Sequence, residues 1–418
     1  VGKWHLGHSQ ETFHPNSRGF DDFYGHLHTE VGYFPPFANQ GGIDFQRNGK
    51  TITDKGYETF LLAAEASRWI ENRDTEKPFF LYMPFIAPHT PLEAPEDLLI
   101  KYANLKDLRK PTRSASTDRI RSLSMTPSAR PIYAAVVDAL DQAIGQVLAT
   151  LESEGIDEET IILFSSDNGG ATYGGGGGDN YPLRGGKGET YEGGIKVIAA
   201  LRWKGHIAPQ TNFSSIMTMM DVFPTLAGAT NIPMMNTKKI WGRDMWSAIH
   251  GSETIPLTKE VFFASETPNY GQFHTTVFNE QWKLVQVISS SLMEVNVNNQ
   301  LFNIDDDPNE YNNLAADYPK LVELMAGKIR KWRALHPISG IRAQLVPPPG
   351  WRAPKDWTSY TIPINELQDD ASLGFGAHAH QILDYLIKDH GRIIYDCKPT
   401  DWERGKCKAP EKPHKHQH

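Results

Sequence analysis

"IILFSSDNGG" (residues 161–170) decides how the rest of the chain is read. Ile161 to Phe164 are four apolar residues in succession, the pattern of a short, fully apolar strand in a covered sheet. Asp167 and Asn168 then fall at the carboxyl end of that strand, followed by two glycines. A carboxylate and an amide carbonyl are hard oxygen ligands suited to Ca²⁺ or Mg²⁺. An Asx turn that closes the strand accounts for the same two residues.

Working outward, residues 132–152 place Ile132, Val136, Leu140, Ile144, Val147 and Leu151 on one helical face, and "GIDEET" ends that helix. Helical spacing also runs through "TFLLAAEASRWIENR" (59–73), before "KPFFLYMPF" (77–85), a short buried strand that stops at Pro84. "IAPHTPLEAP" (86–95) is too rich in proline for a helix and forms a rigid extended loop. Downstream, "KVIAALRWKG" (196–205) and "EVFFASE" (260–266) are strands, with a helix in "SIMTMMDVFPTLAGAT" (215–230) between them. The recurring strand–helix–strand order predicts an α/β fold with a mostly parallel sheet sandwiched by helices, whose ligands bind beyond the carboxyl ends of strands.

After about residue 268 the pattern changes. "FHTTVF", "WKLVQV" and "QLFNI" are short antiparallel strands, and "PKLVELMAGKIRKWRAL" (319–335) is a closing helix. The expected domains are therefore 1–267 and a smaller α+β domain over 268–418, with a Pro- and Trp-rich, irregular end that holds one helix near 379–388.

Composition narrows the function. The chain has 418 residues, more than one core usually holds. Charged residues make up 22% and hydrophobic ones 39%, with a net charge of -8, so nothing favours nucleic acid as a partner. The longest apolar stretches are broken by Pro or Asp, and a membrane span, which needs about 20 apolar residues, is not expected. Cys397 and Cys407 are the two cysteines, and either a local disulfide or two free thiols suits them. Asn212-Phe213-Ser214 is a glycosylation sequon, weak evidence for secretion by itself. The tail "EKPHKHQH" could chelate a metal, but its composition suits a solvated, disordered end better.

Four basic residues could do chemistry. Lys3 and His5, two apart in "VGKWHLG", share one face of a strand, so Trp4 and Leu6 should turn to the core. Two prolines flank His89 and hold its backbone. Lys187 lies in "PLRGGKGETYEGG" (182–194), which follows a five-glycine run. A phosphate loop is excluded there, because Lys187 precedes Gly188 where that motif needs Ser or Thr; the glycine run itself suits a flexible loop. Two lysines and two histidines to hold and protonate an oxyanion, with hard metal ligands nearby, suit hydrolysis of a sulfate or phosphate ester.

"GKWHLG" (2–7), "APHTPLEAP" (87–95), "SSDNGG" (165–170), "PLRGGKGETYEGG" (182–194) and "LFNIDDDPNEYNNLA" (301–315) resemble, in order, the motifs of the type I sulfatases. Within that family they look most like the arylsulfatase B group, the N-acetylgalactosamine-4-sulfatases. The resemblance implies an alkaline-phosphatase-like α/β domain with a small C-terminal sheet domain. It implies that Asp167 and Asn168 are ligands of one Ca²⁺ and that Lys3 contacts the sulfate and the nucleophile. His5 would be the base that expels sulfate from the covalent intermediate, while His89 and Lys187 hold the sulfate and assist departure of the alcohol. It further implies a sulfated glycosaminoglycan or other sulfate ester as substrate, and a lysosomal or secreted glycoprotein.

The family also carries an Asp-Asp metal pair and a Cys-x-Pro-x-Arg motif, whose Cys the formylglycine-generating enzyme converts to formylglycine. "MTPSAR" (125–130) and "CKPTD" (397–401) do not meet that pattern. The expectation is thus a sulfatase whose N-terminal segment is missing from this sequence, inactive as it stands and with a sheet edge exposed. Before "WKL" (282–284), where many relatives place an arginine, this chain has "VFNEQ". The competing readings are a truncated, non-catalytic relative that binds sulfated glycan or a protein partner, and an enzyme acting on a phosphodiester or phosphonate.

Overall fold

A computed structural model describes residues 1–7, 11–28, 31–39, 42–114, 129–172, 176–235, 239–251, 255, 260–265, 272–290 and 295–335. Cys397, Cys407, the helix near 379–388, the motif-like "MTPSAR" up to Ser128 and the histidine-rich tail lie outside them. The chain divides into two compact units. Among the described residues, one comprises those of Val1–Tyr181 and Lys196–Thr258; the other comprises Pro182–Ile195 and those of 260–335.

The first unit is α/β, with strands of mixed direction. β1 (Gly2–Lys3) pairs parallel to β2 (Tyr24–His26), with Lys3 opposite His26. Next to β2 runs an antiparallel hairpin, Gln46–Arg47 with Lys50–Thr51. Gly25 is required at the β1–β2 crossing: its φ is +143°, and a Cβ there would sit 2.2 Å from the Gly2 carbonyl oxygen. Helix α1 (Glu58–Glu71) forms as the apolar spacing predicts, turning Leu62, Ala63, Ala66 and Ile70 fully inward. Against it lies a 25-residue helix, Ala129–Ser153, whose Ala135, Val136, Ala139 and Ala143 are likewise fully buried. Small residues on the second helix let the two backbones approach, and burial of a side chain such as Leu62 stabilises by about 1.5–3 kcal/mol. By length and composition Ala129–Ser153 could cross a membrane, a test that core helices also pass. Tyr24, Tyr33, Phe37, Phe45 and Tyr57 complete the core, with Tyr33 and Tyr57 stacked at 5.4 Å.

Two expectations for this unit need correction. Residues 77–85 form no ladder strand, and Phe80 is 68% exposed. Proline at 78 and 84 removes donors, and the segment instead runs beside β1, where Pro84 accepts the Lys3 N–H at 2.8 Å. The "IILF" strand does form, as Ile162–Ser165, but Leu163 and Phe164 are exposed and its partner, Ala199–Arg202, is antiparallel.

The second unit holds the smaller sheet, four antiparallel strands in the order Val295–Asn303, Trp282–Ser290, Gln272–Asn279, Val261–Ser265. The closing helix, Pro319–Arg333, covers it. Val277, Leu284 and Leu301 from the strands meet Met325 and Ile329 from the helix, all fully buried.

Candidate active site

β1 ends almost as soon as it begins, and that determines where its basic residues point. Trp4 is buried, and its indole N–H donates to the Phe13 carbonyl at 2.8 Å. His5 takes a φ of +49°, so strand alternation stops there. Leu6 is consequently 66% exposed and not in the core as period-two alternation predicts. Lys3 is half-buried and His5 exposed. The His5 N–H donates to the Leu27 carbonyl at 3.0 Å, which keeps the turn against β2.

The sequence reading missed His26, which faces Lys3 across the β1–β2 pair. Its ring is wholly buried, and Nε2 lies 3.8 Å from Oε1 of the equally buried Glu58. Neither of those two atoms has a hydrogen-bond partner among the described residues. Burial, with the positive charges of Lys3, His28 and His5, brings the His26 pKa down to about 3. Burial likewise raises the Glu58 carboxyl to about 8. Both groups are thus neutral near pH 7. A signal for His26, though none for Glu58, was present in "GHLH": His26 and His28 share the two-residue spacing of Lys3 and His5. Asp44 holds this stretch, accepting the Leu27 N–H at 3.0 Å and the His28 N–H at 2.7 Å.

His89 sits in the proline-rich loop, as expected. Its Nδ1 is 2.7 Å from the Thr90 carbonyl, which can only accept, so Nδ1 carries the proton and Nε2 is the basic nitrogen of the neutral ring. Tyr33 donates to the His89 carbonyl at 2.8 Å and fixes the backbone from the core side.

Asp167 is exposed and Asn168 half-buried at the end of Ile162–Ser165. The Tyr82 phenol has its pKa raised by burial and by the Asp167 carboxylate. Asn168 donates through Nδ2 to the Gly169 carbonyl at 3.0 Å. As a carboxylate and an amide oxygen, the two fit Ca²⁺ in kind and supply part of the roughly six to eight oxygens it takes. Among the described residues no cluster of three or more His, Cys, Asp or Glu could hold a metal. The glycine-rich run is held in place over its described part. Arg109 donates to the Gly176 carbonyl at 3.0 Å and Arg130 to that of Gly177 at 2.7 Å.

Lys187 belongs to the second unit, at the tip of a loop. Gly185, Gly186, Glu189 and Thr190 around it are buried, while Lys187 itself is half-exposed.

The sulfatase family profile matches residues 1–232, more than half of the chain, and the chain belongs to the sulfatase family. It is 26% identical to arylsulfatase J of Mus musculus over 79% of this chain and 59% of that protein. It is 29% identical to N-acetylgalactosamine-6-sulfatase of Mus musculus, over 59% of this chain and 45% of that protein. The chain therefore spans less than two thirds of the length of either. Among solved structures, Ps i-CgsB in complex with k-i-k-neocarrahexaose superposes with a TM-score of 0.65 at 28% identity, covering 79% of this chain and 70% of that one. PsFucS1 sulfatase from Pseudoalteromonas sp., at 20% identity, shares the fold with a TM-score of 0.56 over 80% of this chain and 69% of its own.

Proposed function

We propose that the protein hydrolyses sulfate esters of sugars, with the specificity of the arylsulfatase B group for a 4-sulfated N-acetylgalactosamine. The observation that carries this reading is family membership across residues 1–232, the stretch that contains Lys3, His5, His89, Asp167, Asn168 and Lys187. A relative named for N-acetylgalactosamine 6-sulfate and a neighbour that binds an oligosaccharide favour a sugar as the alcohol part.

In this mechanism Lys3 and Lys187 hold the sulfate oxygens and balance the charge that grows on them. His89, protonated at Nε2 and oriented through its Nδ1–H bond to Thr90, gives the leaving sugar hydroxyl its proton. His5 takes a proton at the reacting centre. Asp167 and Asn168 would be two of the ligands of a Ca²⁺, which supplies Lewis-acid charge at the sulfate. The nucleophile would be a formylglycine, made from a cysteine by the formylglycine-generating enzyme, as the sulfatase family implies. A lysosomal or secreted location goes with this reading, as the Asn212 sequon allows.

The test is a substrate panel given to the whole protein: N-acetylgalactosamine 4-sulfate, the 6-sulfate, and bis(p-nitrophenyl) phosphate. The expected outcome is sulfate release, faster from the 4-sulfate. Preference for the 6-sulfate overturns the specificity, and turnover of the phosphodiester alone overturns the reaction.

A further inference from the structure

The loop that presents Lys187 is closed on itself. The Gly186 N–H donates to Glu189 Oε2 at 3.2 Å, and the Gly193 N–H donates to the Arg184 carbonyl at 2.7 Å. A Cβ on Gly194 would lie 2.1 Å from the Glu189 carbonyl oxygen and 2.6 Å from that of Gly186, so no other residue fits there without opening the loop.

Its stem, Tyr191–Glu192, is gripped by the small sheet. The Tyr191 ring lies under the Arg184 guanidinium at 4.2 Å, and its hydroxyl accepts from the Gln300 amide at 2.9 Å. The Glu192 N–H donates to Glu310 Oε2 at 2.8 Å. Lys283, on strand Trp282–Ser290, then closes the arrangement. Its Nζ donates to Glu192 Oε1 at 2.8 Å and is 2.8 Å from Glu310 Oε1. The Lys283 and Glu310 side chains are fully buried, and that of Glu192 is 6% exposed.

Stability alone does not explain an ammonium between two carboxylates in an interior. Apolar side chains of similar volume serve as well, whereas the two carboxyl groups, of which burial pushes that of Glu310 toward its protonated form, hold the Lys283 ammonium only while both stay within its reach. Here that arrangement fixes the Glu192 backbone, and through it the five-residue reach back to Lys187.

We propose that Lys283 is a positioning residue, which through Glu192 and Glu310 holds the loop 184–194 so that Lys187 is presented to the anionic group of the substrate in one place. Presentation to the anion rests on the sulfatase reading; the tie between Lys283 and the loop does not.

The experiment uses the whole protein as wild type, Lys187→Met, Lys283→Met and the double variant. It measures kcat and KM on a sulfate ester and deuterium exchange of the 184–194 peptide. Lys283→Met is expected to speed exchange in that peptide and to lower kcat/KM by about 10- to 100-fold, the scale of a small misplacement of a reacting group. In the Lys187→Met background the same change should cost less than about threefold, because the loop then has nothing to place. If Lys283→Met does not fold, Glu192→Gln takes its place in the same four-way comparison. Unchanged exchange, or an equal loss in both backgrounds, overturns the proposal. A wild type that turns over no sulfate ester overturns the sulfatase reading, and the exchange result still decides whether Lys283 holds the loop.

Discussion

Nε2 of His26 and Oε1 of Glu58 face each other at 3.8 Å in the interior of the first unit, each without a hydrogen-bond partner among the described residues. Their titration shapes stability in opposite directions. Unfolded His26 takes a proton below its ordinary 6.5, but the folded residue resists until about 3, so its contribution falls as the pH drops through that window. Unfolded Glu58 ionises above 4.5, while the folded carboxyl keeps its proton to about 8, so stability falls as the pH rises from 4.5 to 8. Between 4.5 and 6.5 the two slopes cancel, and only the Glu58 slope remains from 6.5 to 8. Glu58→Gln should therefore flatten that alkaline arm, by on the order of 2 kcal/mol at pH 8. Urea unfolding at pH 6 and pH 8 measures it, and parallel losses in variant and wild type would refute the assignment.

Phe45 is fully buried, 4.5 Å from the ring of Phe37 and 5.0 Å from that of Tyr24. Its removal leaves a cavity between two aromatic rings that cannot both move in. Phe45→Ala is expected to destabilise the first unit by about 3–5 kcal/mol, read from the denaturant midpoint.

Gly194→Ala places a methyl group against two carbonyl oxygens of the Lys187 loop. Displacement of Lys187 should lower kcat/KM on a sulfate ester by about tenfold or more. Deuterium exchange of the 184–194 peptide should rise with it, as the loop opens.

His89→Gln removes the nitrogen proposed to protonate the leaving alcohol. Nitrophenolate leaves without help, whereas a sugar alkoxide does not. The loss in kcat should thus be much larger on a sugar sulfate than on p-nitrophenyl sulfate; equal losses on the two would remove His89 from that role.

Much of this fold is legible in the sequence because local pattern and tertiary burial agree. The helix expected at 59–73 is found at Glu58–Glu71, and the one at 132–152 at Ala129–Ser153. The small sheet also follows its pattern, since Val285 and Val287 alternate on one face of their strand and Leu284 on the other. Legibility fails where a tertiary partner decides. Residues 77–85 are apolar enough for a buried strand, yet they lie beside the two-residue β1 with Phe80 in solvent. Leu6 follows alternation on paper, but the left-handed His5 ends the strand first. At the candidate site, the sequence singles out the side chains proposed to meet a substrate. The residues behind them escaped it: His26 left only the spacing it shares with His28, while Glu58 and Lys283 are single polar letters in a helix and a strand, to which burial gives meaning.

The most direct test of the account is release of inorganic sulfate from a 4-sulfated N-acetylgalactosamine oligosaccharide, followed by ion chromatography for the whole protein and for Lys187→Ala. The account predicts steady release by the wild type and a rate lower by about 100-fold or more in the variant, as expected when a charge-stabilising group is lost. No release by the wild type, or equal release by both, would contradict it.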